Sequence, residues 1–199
     1  MKIIHISDTH NQHQSLVNLP EADVLIHSGD LTFAGSEDEL DDFIDWFVKL
    51  PYKYKIFIAG NHDDCLYKNE LKKLPANVFY LNNSSINIGG VNFYGLPMFM
   101  NDVMSGEYDK QIEAIPTNTN VLVSHQPPHS ILDKAGKINY GNRDLLQKVL
   151  AIKPQYHLFG HIHDAYGITQ NNDTVFSNAA VLNEKYELIN NPTVIEAKF

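Results

Sequence analysis

Five short polar blocks recur along the chain, and each directly follows an apolar run typical of a β-strand. Divalent metals in proteins are held by carboxylates, amide oxygens and imidazoles, and a two-metal centre also needs a carboxylate that can bridge. The blocks supply all of these: Asp8-Thr9-His10, Gly29-Asp30, Gly60-Asn61-His62-Asp63, His125 and Gly160-His161-Ile162-His163. The pattern favours a two-metal site that cleaves phosphoesters.

The first two blocks supply the carboxylates. In the first block, Asp8 and His10 are two residues apart just after a strand, so they can point to one ion while Thr9 points elsewhere. Asp30 follows Gly29, which permits close backbone approach, and a carboxylate can bridge two cations where an imidazole cannot. We therefore assign the bridge to Asp30. Taken alone, each aspartate is equally compatible with a residue that closes a turn.

The third block joins an uncharged oxygen ligand to a candidate general acid. Asn61 would bind metal through its amide oxygen, and His62 would face the leaving-group oxygen of the substrate. Asp63 would orient an imidazole or raise its basicity. A plain turn that carries a surface histidine is the alternative for this block alone.

The last two blocks supply further imidazoles. His161 and His163 repeat the two-residue spacing of the first block, and His125 adds a nitrogen after its own strand. The joint presence of all five blocks argues against a purely structural explanation.

The elements that position the blocks alternate between strands and helices. Apolar runs predict strands over residues 2–7, 23–28, 54–59, 120–124 and 156–159. Helical spacing of apolar residues predicts one helix over residues 37–50, capped by Ser36 and stopped by Pro51, and another over residues 142–152. Loops at the carboxyl ends of strands in an α/β fold converge on one crevice, so the blocks should meet there.

In the middle and at the end of the chain, the predicted strands do not alternate with helices. Gly89-Gly90 joins residues 84–88 to residues 91–95 as a hairpin, and further strands are expected over residues 174–177, 185–189 and 193–199. Residues 98–106 and 130–141 are expected to be loops that border a substrate pocket. We predict an α/β fold with two mixed sheets packed face to face and flanked by helices.

Composition narrows the classes of protein and partner. The chain has 199 residues, 15 Lys and Arg against 24 Asp and Glu, and a formal net charge of -9, with no basic run. We therefore expect one domain over residues 1–199 and no long nucleic acid as partner. The single cysteine, Cys65, and the lack of a signal-peptide pattern predict a reducing, cytoplasmic location. The apolar runs are too short to cross a membrane.

The ordered set of blocks resembles the signature of the calcineurin-like metallophosphoesterase family, which runs DxH, GD, GNH[DE], H and GHxH. Every part is intact between Asp8 and His163, and the resemblance implies a four-layered α/β/β/α sandwich. It also implies that His62 is catalytic without being a ligand. One metal would be held by Asp8, His10, Asp30 and His163, and the second by Asp30, Asn61, His125 and His161.

Within the family, residues 125–129 and the segment that follows them resemble a small branch directed at cyclic nucleotides. Some members of that branch have glycine where this chain has His161, so the retained imidazole predicts complete two-metal chemistry. Asn11 stands where many relatives have glycine, a difference that removes no ligand.

The expected reaction is in-line attack of a metal-bridging hydroxide on phosphorus, with His62 as general acid and no covalent phosphoenzyme. The expected substrate is a small phosphodiester or nucleotide. A phosphomonoesterase, a nuclease and a non-catalytic metal-binding scaffold are the alternatives. The ligand types suit two divalent ions of Mn, Fe, Zn or Ni.

The remaining candidates carry weaker signals. His129 is expected either at the substrate entrance or as an ordinary loop residue, and Arg143 either on a phosphate or as a charged residue that opens a helix. The histidines outside the blocks are expected to have structural or surface roles: His5, His13, His27 and His157.

Overall fold

The computed structural model describes residues 1–69, 71, 73–171 and 173–199. Its elements are, in chain order, β1 (Lys2–Ile6), β2 (Val24–His27), α1 (Glu37–Lys49), β3 (Tyr54–Phe57), β4 (Val78–Tyr80), β5 (Ser84–Ile88), β6 (Val91–Leu96), α2 (Met100–Ser105), α3 (Glu107–Glu113), β7 (Val121–Ser124), β8 (Lys134–Ala135), β9 (Ile138–Asn139), α4 (Arg143–Ile152), β10 (Tyr156–Phe159), β11 (Gly167–Asn171), β12 (Thr174–Asn178) and β13 (Thr193–Glu196).

The strands form two mixed sheets and one short hairpin. The first sheet has the order β13-β1-β2-β3-β4, in which only β13 is antiparallel to its neighbour. The second has the order β11-β12-β10-β7-β6-β5, with parallel pairs at the centre and an antiparallel pair at each edge. The two sheets confirm the predicted mixed α/β architecture.

Alternation along the strands sends side chains to two different cores. On β1, Ile3 belongs to the cluster between the sheets, whereas Ile4 packs with Phe43 of α1 on the outer face. A third cluster covers the outer face of the second sheet, where Leu122 packs with Leu145 of α4. The layers are therefore helix, sheet, sheet and helix, and burial of each large apolar side chain contributes about 1.5–3 kcal/mol.

Both long helices begin where local sequence predicts. Ser36 accepts a hydrogen bond from the backbone N–H of Glu39, and the Glu39 carboxylate accepts one from the Ser36 backbone N–H, which completes a capping box. The Asn142 side chain accepts from the N–H of Leu145 and caps α4, so that helix starts one residue later than predicted. Among the described residues, no helix is long and apolar enough to cross a membrane.

Two predicted segments are wrong. Residues 98–106 were expected to be a loop but contain α2. Residues 185–189 were expected to be a strand, yet their ladder is limited to one bridge between Leu182 and Leu188. The Asn183 side chain accepts hydrogen bonds from the backbone N–H groups of Lys185 and Glu187, so it ties the segment into a loop instead of leaving those groups for a neighbouring strand.

The carboxyl ends of the parallel strands meet at one edge of the molecule. Ser7, which follows β1, forms a parallel bridge with Ala180, which follows β12 in the second sheet. The Val181 N–H also donates to the Ser7 carbonyl at 3.0 Å. The polar blocks that end strands of the two sheets are thereby brought to the same edge.

Candidate metal centre

The polar blocks converge on one cluster of ligand atoms. Three groups of side chains each have candidate ligand atoms that lie within 4.8 Å of one another; the first and second groups share His10, and the second and third share Asp30. They are Asp8, His10 and His163; His10, Asp30 and His62; and Asp30, His125 and His161. Blocks separated by more than 150 residues in sequence therefore build a single site.

Asp30 lies at the centre of the cluster. Its Oδ2 atom is 3.5 Å from His10 Nε2 and 3.3 Å from His125 Nε2. Asp8 Oδ1 is 3.4 Å from His163 Nε2, and the Asn61 amide oxygen is 3.1 Å from His125 Nε2. One oxygen of Asp30 is thus placed between imidazoles of the two predicted ligand sets, as a bridging carboxylate requires.

The donor atoms fit metal ions. Two ligands that are each about 2.1 Å from a tetrahedral ion are about 3.4 Å apart, close to the separations seen here. Charge-assisted hydrogen bonds between such groups are shorter, at about 2.7–2.9 Å. Both ring nitrogens of His10 are buried without a hydrogen-bond partner among the described residues. Because His10 Nε2 also faces the buried Asp30 Oδ2 at 3.5 Å, a metal ion held between these two atoms would satisfy it.

Backbone carbonyls set the orientation of two ligand imidazoles. His125 Nδ1 donates to the Ser28 carbonyl at 2.9 Å, and His163 Nδ1 donates to the Asn183 carbonyl at 2.9 Å. A carbonyl oxygen can only accept, so each Nδ1 carries the proton and each Nε2 is left to face the cluster. This is the arrangement by which neighbouring acceptors fix metal-ligating histidines.

Several site residues have an unusual backbone conformation. Asp8, His10, Asp30 and His161 have φ values of 56°, 40°, 55° and 69°. Positive φ is uncommon outside glycine and typically costs about 1–3 kcal/mol at each strained position. Asn11 also has a φ of 65°, which explains why asparagine or glycine suits that position. Strain of this kind at adjoining loops indicates a functional site.

The glycines that precede the ligands are required by space. A Cβ atom added to Gly60 would meet the Asp30 carboxylate, and one added to Gly160 would meet the Asp8 carboxylate and the Ser7 hydroxyl. A Cβ on Gly29 would lie 2.6 Å from His125 Nδ1. Any side chain at these positions would displace a ligand.

His62 stands at the open side of the cluster. Its backbone N–H donates to Asp30 Oδ1 at 2.9 Å, and its Nδ1 donates to the Phe33 carbonyl at 2.8 Å. The ring is half-buried, and its Nε2 is the nitrogen without a hydrogen bond to the described residues. Distance alone also groups His62 with His10 and Asp30 as a potential ligand.

Asp63 has different partners from those we expected. Its buried carboxylate accepts hydrogen bonds from the backbone N–H groups of Gly60, Leu31 and Thr32, and from the Thr32 hydroxyl, instead of orienting an imidazole. Burial, followed by the charge of Asp30, raises the pKa of Asp63 to about 6. Its carboxylate joins the loop that carries Asp30 to the loop that carries Asn61.

The charges in the cluster oppose the effect of burial. Burial raises the pKa of Asp8, but His163 at 3.4 Å and the other surrounding imidazoles outweigh burial and hold that pKa far below its usual value. Burial lowers the pKa of His125, yet Asp30 and Asp8 raise it to about 9. His161 has a pKa of about 4 because burial and the neighbouring His125 both lower it. The carboxylates are ionised and available to cations.

A cleft of about 290 Å³ opens over the cluster. His129 and Arg143 do not line it: the His129 ring is 3.8 Å from Asp133, and Arg143 is an exposed residue that opens α4, as in the alternative prediction. The cleft is instead bordered by residues that the sequence did not single out: Tyr140, Asp164, Glu184 and Tyr186. Tyr140 belongs to the predicted loop over residues 130–141, which also holds β8 and β9.

The four histidines that were expected to have structural or surface roles are buried. The His5 ring is hydrogen-bonded to the Ser28 and Ser177 hydroxyls, and His27 to the Thr9 hydroxyl. His157 is hydrogen-bonded to the Ser124 hydroxyl. His13 lies 3.1 Å from Asp42 and packs against Trp46. These contacts agree with the structural roles expected for them.

The fold and the site define a metal-binding α/β sandwich with clustered His and Asp ligands at its strand ends. A model of the family described as "Calcineurin-like phosphoesterase" matches residues 1–165, and the chain belongs to this family of metallophosphoesterases. Membership implies phosphoester hydrolase activity.

Named relatives match over nearly the whole chain. A UPF0046 protein of Caenorhabditis elegans is 36% identical, over 98% of this chain and 74% of its own length. Metallophosphoesterase domain-containing protein 1 of Homo sapiens is 31% identical, over 98% of this chain and 70% of its own. The solved structure of TT1561 of Thermus thermophilus matches with a TM-score of 0.62 at 11% identity, covering 90% of this chain and 88% of that one, and supports the fold alone.

Proposed function

We propose that this metallophosphoesterase is a two-metal phosphodiesterase that acts on a small phosphoester, with nucleotides among the candidates. The observation that carries the proposal is the position of Asp30, whose Oδ2 atom lies 3.5 Å from His10 and 3.3 Å from His125. A shared carboxylate between two ligand sets is the feature that separates a two-metal site from a single-ion site.

The residues that would hold the ions follow from the cluster. One ion would be held by Asp8, His10, Asp30 and His163, and the other by Asp30, Asn61, His125 and His161. When bound, two such ions supply positive charge for the phosphate oxygens and an activated water as nucleophile. Manganese, iron, zinc and nickel all suit this donor set.

His62 is proposed as the general acid. Because its Nδ1 donates to the Phe33 carbonyl, Nε2 is the nitrogen that can deliver a proton to the leaving alkoxide. The His62 backbone N–H bonds to Asp30, so the same residue is anchored to the bridging ligand. The proposal requires that His62 stay outside the ligand sets although it is close enough to join them.

Asp63 acts in this proposal by positioning loops. Its carboxylate holds the backbone of Leu31 and Thr32, next to Asp30, and that of Gly60, next to Asn61. One buried group thus keeps the bridging carboxylate and the amide ligand at a constant separation. Loss of the Asp63 carboxylate would therefore lower metal affinity more than it slows proton transfer.

The charge of the cleft favours a diester over a monoester. None of the described residues that line it is Lys or Arg, and Asp164 and Glu184 add negative charge at its border. A phosphodiester carries one negative charge and a monoester at neutral pH close to two, so the border carboxylates repel a monoester more strongly and offset part of its attraction to the ions. The same lack of cations opposes binding of long nucleic acid.

The test uses metal-stripped protein reconstituted with Mn²⁺ or another divalent ion. Hydrolysis of bis-p-nitrophenyl phosphate is compared with hydrolysis of p-nitrophenyl phosphate, and bound metal is counted by elemental analysis. We expect metal-dependent cleavage with the diester preferred. A monoester preference would favour the phosphomonoesterase alternative, and no hydrolysis of either compound by fully loaded protein would favour a metal-binding scaffold.

His62→Gln separates the general acid from the ligands. We expect kcat to fall by about 10²–10⁴-fold while two ions remain bound, since proton transfer is lost and the ligand sets are intact. Full turnover by the variant would remove His62 from this role. Loss of one ion would instead make His62 a ligand.

A further inference from the structure

Two exposed aromatic rings stand beside the metal cluster. Phe33 is 52% exposed and Tyr186 is 38% exposed, and their ring centroids are 5.4 Å apart at 76°. The Tyr186 ring also lies 5.0 Å from the His10 ring and 5.6 Å from the His163 ring. Two large rings in mutual contact thus leave part of their surface open next to the phosphate-binding position.

The loop that carries Tyr186 is built to hold this ring. Tyr186 has a φ of 59°, a conformation that is rare for a bulky side chain. It is stabilised by Asn183, whose side chain accepts from the backbone of Lys185 and Glu187, and by Gln12, which donates to the Tyr186 carbonyl. Strain of this kind, when held by surrounding hydrogen bonds, points to a function for the residue.

The same loop is part of the metal centre although it lies beyond the segment matched by the family model, which ends at residue 165. The Asn183 carbonyl accepts the Nδ1 proton of His163 and so fixes a ligand. Phe33 is tied to the centre in a comparable way, because its carbonyl accepts the Nδ1 proton of His62. Each ring is therefore attached to a backbone that orients a residue of the site.

We propose that Phe33 and Tyr186 form a subsite for a planar ring on the leaving group of the substrate. The subsite lies on the leaving-group side because Phe33 is linked to His62, the proposed general acid. This inference rests on the proposed function, and it adds the substrate class: an aryl or other ring-bearing ester with a single phosphate. Among the described residues of the cleft, no Lys or Arg is present to bind a second phosphate.

Ring contact can supply the selectivity that charge does not. An edge or offset contact between two rings corresponds to a preference of about 10-fold, as measured for aromatic pairs in proteins. The cleft volume of about 290 Å³ accommodates a phosphate and one ring system.

The first experiment measures binding and does not depend on turnover. Phenylphosphonate and methylphosphonate, which are not hydrolysed, are titrated into metal-loaded protein by calorimetry. We expect the phenyl compound to bind about 10-fold more tightly, and we expect Phe33→Leu and Tyr186→Leu each to remove most of that preference. Phe199→Leu should retain it, because this exposed ring packs against Tyr156 at the start of β10, at the opposite end of that strand from the site. Equal affinities in the wild type, or a preference unchanged in both variants, would overturn the subsite.

The second experiment tests the side on which the ring lies. Methyl phenyl phosphate is compared with a methyl fluoroalkyl phosphate whose leaving alcohol has an acidity close to that of phenol. Phe33→Leu and Tyr186→Leu should each lower kcat/KM for the phenyl ester by about 10-fold more than for the fluoroalkyl ester, whose loss measures any general effect of the substitution on the centre. Equal losses would overturn the leaving-group assignment. If the loaded wild type shows ring-selective binding but cleaves neither ester, the proposed function fails while the ring subsite stands.

Discussion

Two groups of buried histidines in this protein share a side chain and differ in their electrostatic surroundings. Burial lowers the pKa of His5, His27 and His157 to about 3 in each case. Burial acts on His125 as well, but Asp30 at 3.3 Å reverses its effect and raises the pKa to about 9. The same residue type is a neutral structural group in one place and a candidate cation ligand in the other.

The difference lies in the partner that each ring meets. His5, His27 and His157 are hydrogen-bonded to Ser or Thr hydroxyls, which can pair with a neutral ring. The histidines of the polar blocks lie beside carboxylates, and a cluster of imidazoles and carboxylates attracts a divalent cation. Burial is therefore shared by both groups, and a buried carboxylate that faces more than one imidazole is what distinguishes the cluster from His5, His27 and His157.

Asp30→Asn removes the feature on which this distinction depends. We expect bound metal to fall from two ions per chain to one or fewer, and kcat/KM to fall by at least about 10³-fold, the upper end for loss of one electrostatic contact to the transition state. Elemental analysis and diester hydrolysis check this. Asp42→Asn is the matched control, because Asp42 lies 3.1 Å from His13 but outside the cluster. Two ions bound to Asp30→Asn protein would refute the bridge.

His5→Leu tests the structural group. The substitution leaves the Ser28 and Ser177 hydroxyls without the ring that joins them, and a buried polar group that loses its partner costs about 1–3 kcal/mol. We expect the free energy of unfolding, measured by urea denaturation, to fall by that amount or somewhat more. Metal stoichiometry should stay at two ions per chain. A drop in bound metal without loss of stability would place His5 in the metal centre.

His157→Phe tests the charge of a core imidazole. A histidine with a pKa near 3 in the fold and near 6.5 in the unfolded chain takes up its proton only on unfolding as the pH falls, so stability is intact above about pH 6.5 and is lost between there and pH 3. From pH 7 to pH 5 the loss is about 2 kcal/mol for one such group.

We expect urea denaturation of His157→Phe protein to show less acid destabilisation than the wild type by about that amount. At pH 7.5 the substitution should change stability by less than about 1.5 kcal/mol, since Ser124 keeps its bond to the Gln126 carbonyl and the ring sits against Phe159 and Phe176. Identical pH profiles for the two proteins would show that His157 is not held neutral by burial.

Local sequence predicted the elements whose signals are local. The Ser36 and Glu39 capping box, the Gly89-Gly90 turn and the apolar runs before the blocks each act within a few residues, and the corresponding elements are present. Residues 185–189 have a β-like pattern, but the side chain of Asn183 competes for their backbone and makes a loop. The loop that Asn183 forms places the Tyr186 ring beside the metal centre. The alternation of apolar residues alone does not predict this loop.

The sequence by itself determined the types of ligand and their attachment to strand ends, because the blocks combine donor chemistry with glycines that leave room for it. Only the tertiary structure decided which donors share an oxygen of Asp30, which histidines remain neutral in the core and which rings border the cleft. Those outcomes depend on contacts such as the one between His125 and the Ser28 carbonyl, 97 residues apart. Distance, burial and charge at such contacts are set by the packing of the two sheets.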